Sequence, residues 1–419
     1  MRFKVKESFT AMEFKKKQLE NGLTIIGELN EGAKSAAVGF FVKTGSRDES
    51  NDINGVSHFL EHMLFKGTDT LSALEVNKAF DRTGAQFNAF TSEENTVYYA
   101  AVLPEYLHEV TQLWIELLRP ALRDDDFNIE KNVIKEEISM YQDLPGFDVM
   151  DRCRKLYFDT HPCGMSVLGT VESIDGLTAG QMRDYFGNRY APNNMVLAVA
   201  GNFDWEAMCA LAEEDCGGWS AQKTQRAISH YDGSRKKKRV EKPNLVREHI
   251  CLISPAVSAQ DERRYAANLT AAIVGDDIGS RFFWELVDKA IAETASLEFS
   301  PMDGTGAFYS YIRCSSEKLP QVLEIVDGIF KDAAEKGVSA EELEKARNKA
   351  LSSLVIKSEV PMGRLVGLGF NWMYCQEYRS VEDDVEAIRK VSIEDVNSLM
   401  KEFRLADYTQ LVLGPQRED

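Results

Sequence analysis

His58, Glu61 and His62 stand within Val56-Ser57-His58-Phe59-Leu60-Glu61-His62-Met63-Leu64, where Val56, Phe59, Leu60, Met63 and Leu64 recur at three- and four-residue steps. That spacing predicts a helix with an apolar face toward a core and both histidines on the other face. Side chains at i and i+4 stack one turn apart, close enough for two imidazoles to grip one ion, and Glu61 projects from the same side. Imidazole is a favoured zinc ligand, and a catalytic zinc takes three protein ligands plus a water whose pKa it lowers. Glu61 has the chemistry of a base for that water. Paired histidines at helical spacing are commonly just polar surface, and the motif alone carries a false-positive risk. Here they are two of only six histidines, in an otherwise strongly apolar helix where an uncompensated His-Glu-His cluster is costly. Metal binding is the reading that satisfies the cluster.

A third ligand must be Asp, Glu, His or Cys. Asp124-Asp125-Asp126 suits a helix N-terminus, and the residues from Phe127 to Ile138 continue it. Glu130 and Glu137 fall on one face, two turns apart, so that one binds metal while the other orients it or a histidine. Spacing alone does not rank them.

His58-Phe59-Leu60-Glu61-His62, followed downstream by Val133-Ile134-Lys135-Glu136-Glu137-Ile138, resembles the inverzincin peptidases of the pitrilysin family. That family includes insulin-degrading enzyme, the mitochondrial processing peptidase and short bacterial relatives. Gly45-Ser46-Arg47-Asp48-Glu49, Phe65-Lys66-Gly67-Thr68 and Phe87-Asn88-Ala89-Phe90-Thr91-Ser92 are similar to the family's surroundings of the motif. The resemblance covers nearly the whole chain and is densest in the first half. It implies that His58, His62 and Glu137 ligate one zinc ion per chain, that Glu61 is the general base, and that Glu130 supports the ligands.

The elements that must position these residues are legible as patterns. Leu23 to Gly27 and Ser35 to Val42 read as strands between turn signals at Asn21-Gly22 and Glu31-Gly32. Gln86 to Ala100 adds more strand, and Val110, Leu113, Trp114 and Leu117 restore helical spacing over Glu105 to Leu118. Strands interleaved with long helices predict an α+β or α/β domain. By the resemblance, Gln86 to Phe90 is an edge strand beside the zinc, with Asn88 and Ala89 contacting substrate. Unpaired N–H and C=O groups on an edge accept an extended peptide whatever its side chains.

A net charge of -18 over 419 residues argues against nucleic acid as a partner, because phosphate binding relies on a basic footprint. It is compatible with basic or neutral peptides. No stretch approaches the ~18 consecutive apolar residues of a membrane helix, and Met1 to Lys17 lacks an apolar signal core, so a cytoplasmic protein without membrane contact is expected. Seven cysteines show neither paired metal spacing nor a disulfide framework and read as reduced thiols. His161 and Cys163, spaced by Pro162 and followed by Gly164, predict a turn rather than a ligand pair.

The chain also repeats itself. Leu107, Val110, Leu113 and Leu117 find counterparts in Leu319, Val322, Ile325 and Ile329; Asp124 to Ile138 corresponds to Ser339 to Leu354; and Leu177 to Met182 with Met195 to Val199 is echoed by Val391 to Val396 with Gln410 to Leu413. A shift of about half the chain implies two domains of one fold. The expected division is a zinc-binding domain over 1–217, a linker over 218–241 that includes the basic run Arg235 to Arg239, and a non-catalytic domain over 242–419, where Ala346 and Ser353 stand opposite Glu130 and Glu137. The resemblance implies an α+β fold of two homologous domains, each a mostly antiparallel sheet with packed helices, arranged as a clamshell around a peptide substrate. It leaves open a homodimer or a heterodimer with a related subunit.

One departure stands out. Many family members supply an Arg and a Tyr after a Ser-Arg-Leu-Phe-x-Glu-Leu pattern, groups suited to the negative charge that develops on a carbonyl oxygen. Here Ser280-Arg281-Phe282-Phe283-Trp284-Glu285-Leu286 is followed by Val287 and Thr294 at those positions. Tyr309, Tyr311 and Arg313 are nearby substitutes, and a partner subunit is another source. The reading is a zinc endopeptidase of short or unfolded peptides; its rivals are a non-catalytic scaffold or peptide-binding subunit and the zinc-bearing half of a two-chain peptidase.

Overall fold

β-Branched and aromatic runs form the strands, and amphipathic runs the helices, across the described residues 12–416 of this computed structural model. The part of the N-terminal reading that falls on Met1 to Ala11 lies outside the described residues. The strands are β1 (Glu13–Gln18), β2 (Thr24–Leu29), β3 (Ala36–Val42), β4 (Gln86–Thr91), β5 (Thr96–Val102), β6 (Met195–Gly201), β7 (Lys237–Glu241), β8 (Glu248–Pro255), β9 (Thr294–Pro301), β10 (Gly306–Cys314) and β11 (Thr409–Gly414). The helices are α1 (Val56–Leu64), α2 (Ala73–Thr83), α3 (Leu107–Leu117), α4 (Asp124–Gln142), α5 (Pro145–Phe158), α6 (Val171–Gly176), α7 (Ala179–Arg189), α8 (Trp205–Cys216), α9 (Arg264–Gly275), α10 (Leu319–Lys336), α11 (Ala340–Ser358), α12 (Pro361–Cys375), α13 (Val381–Lys390) and α14 (Ile393–Glu402).

The strands make two sheets, ordered β1-β2-β6-β3-β5-β4 and β7-β11-β8-β10-β9. Without β1 the two orders correspond strand for strand. β2 runs parallel to β6 as β7 does to β11, and every other neighbouring pair is antiparallel. The helices repeat too: α7 and α14 each open with a capping box, Thr178 with Gln181 and Ser392 with Asp395. The fold is therefore α+β, with two homologous, mostly antiparallel sheets. β4 is the edge strand of the first sheet.

Packing divides the chain differently from sequence order. One compact unit comprises the residues through Lys135, Val167–Arg226 and Val355–Val381; the other comprises Glu136–Ser166, Ala227–Leu354 and the residues from Glu382 onward. The sequence division into 1–217, 218–241 and 242–419 is contiguous, whereas these units interleave. In the first unit α12 lies on β3 and β6, and in the second α5 lies on β8 and β11, so each sheet is covered by a helix from the other half of the sequence. Both exchanged helices start with proline, at Pro145 and Pro361, where the missing N–H costs nothing. A buried ion pair holds α12: Arg364 Nε donates to Glu28 Oε1 on β2 at 2.6 Å, and the Tyr378 hydroxyl donates to Glu28 Oε2 at 2.9 Å.

Alternation along β4 shows how the first sheet is sandwiched. Phe87 stacks on Phe80 of α2, whereas Phe90 meets Phe370 of α12 on the opposite face.

The basic run Arg235 to Arg239 is solvent-exposed through Lys238, as expected, but it is not all linker. Its last three residues begin β7, which pairs parallel with β11 at the edge of the second sheet. An edge tolerates lysine because one flank faces water. Arg239 also finds Glu248 at 2.6 Å, and Lys237 lies over the Tyr408 ring. The predicted turn at Pro162 is a single 3-10 turn, with the His161 ring accepting the Cys163 N–H. All seven cysteines are free thiols, six of them buried. Among the described residues no helix is long and apolar enough to cross a membrane.

Candidate metal centre

α1 begins at Gly55, whose φ of +94° is left-handed and where a Cβ would meet the Leu168 carbonyl oxygen at 2.7 Å. No side chain at that position can cap the helix. Glu49 does it from the preceding loop, accepting the N–H of Gly55 at 2.7 Å, the N–H of Ser57 at 2.8 Å and the Asn54 amide at 2.9 Å. Burial raises the Glu49 pKa, and these donors pull against it. Val56, Phe59, Leu60, Met63 and Leu64 fill the core as their spacing predicts. Phe59 stacks flat on Phe127 of α4, with ring centroids 4.7 Å apart, and so sets α1 against α4.

α4 runs unbroken through Lys135 and Glu136, where the packing units divide, and carries both candidate glutamates. Ligand atoms of His58, His62 and Glu137 all lie within 4.8 Å of one another. Glu130 sits elsewhere, with Oε1 at 2.9 Å from His62 Nδ1 and Oε2 at 2.5 Å from Lys66 Nζ. The geometry thus separates two glutamates that spacing could not: Glu137 joins the histidines and Glu130 stands behind one of them. A carboxylate on Nδ1 selects the tautomer with its proton there, which leaves Nε2 as the donor atom. Burial opposes the Glu130 charge, but the bonds from His62 and Lys66 outweigh it and hold its carboxyl below the usual range.

Burial, with His62 adding to it, pushes the His58 pKa down to about 3. His58 is therefore a neutral imidazole at neutral pH, the form that binds a metal. Two imidazoles and a carboxylate, with a carboxylate holding one imidazole in register, are a donor set that fits zinc.

Glu61, on the same helix, accepts a hydrogen bond from Thr91 Oγ1 at 2.6 Å. Behind it the Tyr98 and Tyr190 hydroxyls meet at 2.8 Å; burial first, and the nearby Glu61 charge among other causes, raise the pKa of both. α1 packs against β4, on which Asn88 is exposed and Ala89 half-buried. Asn88 Oδ1 accepts the Ala89 N–H at 2.9 Å.

The segment that departs from the family pattern does structural work in its own unit. Arg281 pairs with Glu342 at 2.7 Å. Val287 closes a π-helical turn over Phe283–Val287 and packs against the core, and Thr294 opens β9 opposite Arg313. The nearby substitutes are committed as well. The Tyr311 hydroxyl bonds His249 Nδ1 at 2.8 Å, Arg313 Nε pairs with Glu293 at 2.9 Å, and Tyr309 packs into the apolar cluster of Val149, Cys153 and Tyr157 from α5.

Glu49, Lys66 and Thr91 were legible only as members of the family-like stretches. Nothing in their local spacing points to a helix cap, a partner for Glu130 or a partner for Glu61.

Comparison with known proteins follows this geometry. The family model described as Insulinase (Peptidase family M16) matches residues 24–171, and that described as Peptidase M16 inactive domain matches residues 176–350. The chain is 30% identical over 402 residues to the Uncharacterized zinc protease YmxG of Bacillus subtilis, covering 94% of this chain and 97% of that protein. It is 31% identical over 409 residues to the Uncharacterized zinc protease Rv2782c of Mycobacterium tuberculosis, covering 95% and 92%. In fold it is similar to a protease from Helicobacter pylori, with a TM-score of 0.87 at 20% identity over 96% of this chain and 100% of that one. It is also similar to a structure from Pseudomonas fluorescens described as a peptidase M16 inactive domain, with a TM-score of 0.89 at 18% identity over 97% and 99%. With an inverted His-x-x-Glu-His helix, a downstream glutamate brought to it and a repeated α+β unit, the chain belongs to peptidase family M16, the insulinase family.

Proposed function

We propose that the chain is a zinc metalloendopeptidase that hydrolyses peptide bonds in short or unfolded peptides. The observation that carries this reading is the meeting of His58 and His62 of α1 with Glu137 of α4 within 4.8 Å, where α1 packs against the edge strand β4. Zinc, when bound, supplies Lewis acidity that polarises a carbonyl and lowers the pKa of a water. His58, neutral by burial, offers its lone pair without first losing a proton. Glu130 fixes the ring of His62 through Nδ1. Glu61 takes the proton of the attacking water and passes it to the departing amine. Asn88 and Ala89 hold the substrate main chain along β4. Strand addition needs an extended segment with free backbone groups, which selects unfolded peptides. The names carried by the relatives support a zinc protease, and seven free thiols support a reducing compartment such as the cytoplasm.

A second reading, a non-catalytic or peptide-binding subunit or the zinc-bearing half of a two-chain peptidase, is favoured by Val287 and Thr294. Losing one oxyanion donor costs roughly a hundredfold to a thousandfold in rate, and Tyr309, Tyr311 and Arg313 have structural partners of their own. Cleavage of a quenched, unstructured peptide by zinc-loaded wild type, Glu61→Gln and His58→Ala, with zinc content measured on each, separates the two. The peptidase reading expects cleavage by wild type and full zinc in Glu61→Gln with turnover lower by roughly 10²- to 10⁴-fold. It expects His58→Ala to lose metal. Near wild-type turnover in Glu61→Gln would refute the base, and a zinc-loaded wild type that cleaves nothing favours the second reading.

A further inference from the structure

A hydrogen bond joins Glu61 to the edge strand. Thr91, the last residue of β4, donates its hydroxyl to Glu61 Oε2 at 2.6 Å, the length of a charge-assisted bond to a carboxylate. A threonine hydroxyl has one proton to give. Thr96, paired with Thr91 across the strands, gives its own proton to the Thr44 carbonyl at 3.0 Å, so its Oγ1 is the other acceptor within reach of Thr91, at 3.4 Å. The contact to the Glu61 carboxylate is shorter by far, and the Thr91 proton goes there. A β-branched side chain is stiff at χ1, and the Thr91 backbone is tied into the sheet by its pairing with β5. The hydroxyl is thus held at a fixed place on the strand.

The strand that presents Thr91 is also the one that carries Asn88 and Ala89. Glu61 and His62 belong to α1, a different element. Without a link, the position of the base relative to a peptide on β4 would depend on how α1 rides over the sheet. We propose that Thr91 is a positioning residue that fastens the Glu61 carboxylate to the strand on which substrate is laid, so that one element sets both the register of the peptide and the place of the base. The proposal rests on the peptidase reading above. Its expected signature is a split between rate and binding. Main-chain pairing to β4 does not use the Thr91 hydroxyl, so KM holds. Proton transfer depends on the placement of Glu61, and a displacement of about 1 Å at a reacting group costs roughly a hundredfold.

Thr91→Val keeps the shape and branching and removes the donor, and Thr91→Ser keeps the donor. With the zinc-loaded full chain and an unstructured quenched peptide, Thr91→Val is expected to lose roughly 10- to 100-fold in kcat at unchanged KM and zinc content, and Thr91→Ser to restore it. Equal kcat in Thr91→Val and wild type, or a loss that serine leaves unrestored, would overturn the proposal. Crystal structures of the two zinc-loaded proteins give a readout that needs no turnover. The Glu61 carboxylate should lie against residue 91 in wild type and leave that position in Thr91→Val. An unmoved carboxylate overturns the proposal even in a chain that cleaves nothing. A wild type silent toward peptide counts against the self-sufficient peptidase reading, and a carboxylate that moves in Thr91→Val then still shows that Thr91 holds Glu61 against β4.

Discussion

Glu130→Gln probes how strongly the protein holds His62 for a metal. Glu130 is 3% exposed, with one oxygen 2.9 Å from His62 Nδ1 and the other 2.5 Å from Lys66 Nζ. A carboxylate accepts at both oxygens, whereas an amide offers one acceptor and one NH2 donor. If the amide oxygen stays on His62, the NH2 group faces the Lys66 ammonium; if the amide flips, it faces the Nδ1 proton. Either arrangement sets donor against donor in a place water barely reaches, and both remove the negative charge behind the imidazole. Groups that orient a ligating histidine are worth about 10- to 100-fold in metal affinity, or about 1.4 to 2.8 kcal/mol. Burial keeps solvent screening weak here, so the upper part of that range is expected. Titration of the apo protein against a chromophoric zinc chelator gives the dissociation constants of wild type, Glu130→Gln and Glu130→Ala, with circular dichroism confirming that α4 stays helical. Affinity within about twofold of wild type in both variants would refute the reasoning that Glu130 acts through His62.

Two further outcomes follow from buried charge. Arg364→Ala strips a bidentate partner from Glu28, which is 2% exposed, and should cost about 3 to 5 kcal/mol in urea unfolding, the price of an uncompensated buried carboxylate. The double variant Glu28→Leu with Arg364→Met should lose less than Arg364→Ala alone, and an equal or larger loss would contradict this account of how α12 is held. The second outcome is a pH dependence. His58 protonates near pH 3 in the folded apo protein against an ordinary value of 6.5, so the unfolded chain takes up that proton first. The contribution is whole above pH 6.5 and is lost as pH falls toward 3, reaching about 2 kcal/mol by pH 5. Apo wild type and His58→Gln compared at pH 7.5 and 5.0 should differ by that amount, and identical pH slopes would sink the assignment.

Much of this molecule was legible because its signals are local. Apolar residues at three- and four-residue steps made α1 readable from Val56 to Leu64, and the i, i+4 spacing put two metal-competent imidazoles of the His58, His62 and Glu137 cluster on one face of it. β-Branched runs between turn residues marked β2 and β3, and the echo of hydrophobic spacing across the halves announced the repeat that the two sheets display. β7 escaped because a lysine-rich edge strand has the composition of a linker.

What the sequence by itself determined is the chemistry available on each helix and strand, since side-chain type and periodicity are properties of a few adjacent residues. Only the tertiary structure decided which groups meet. Glu130 and Glu137 occupy the same face of α4, and the packing of Phe127 on Phe59 is one of the contacts that bring the later one to the histidines and the earlier one behind His62. The cap from Glu49, the bond from Thr91 and the exchange that lays α12 on the first sheet and α5 on the second join residues far apart in the chain. Such contacts are set by how whole elements pack, and packing at that range leaves no period in the sequence to read.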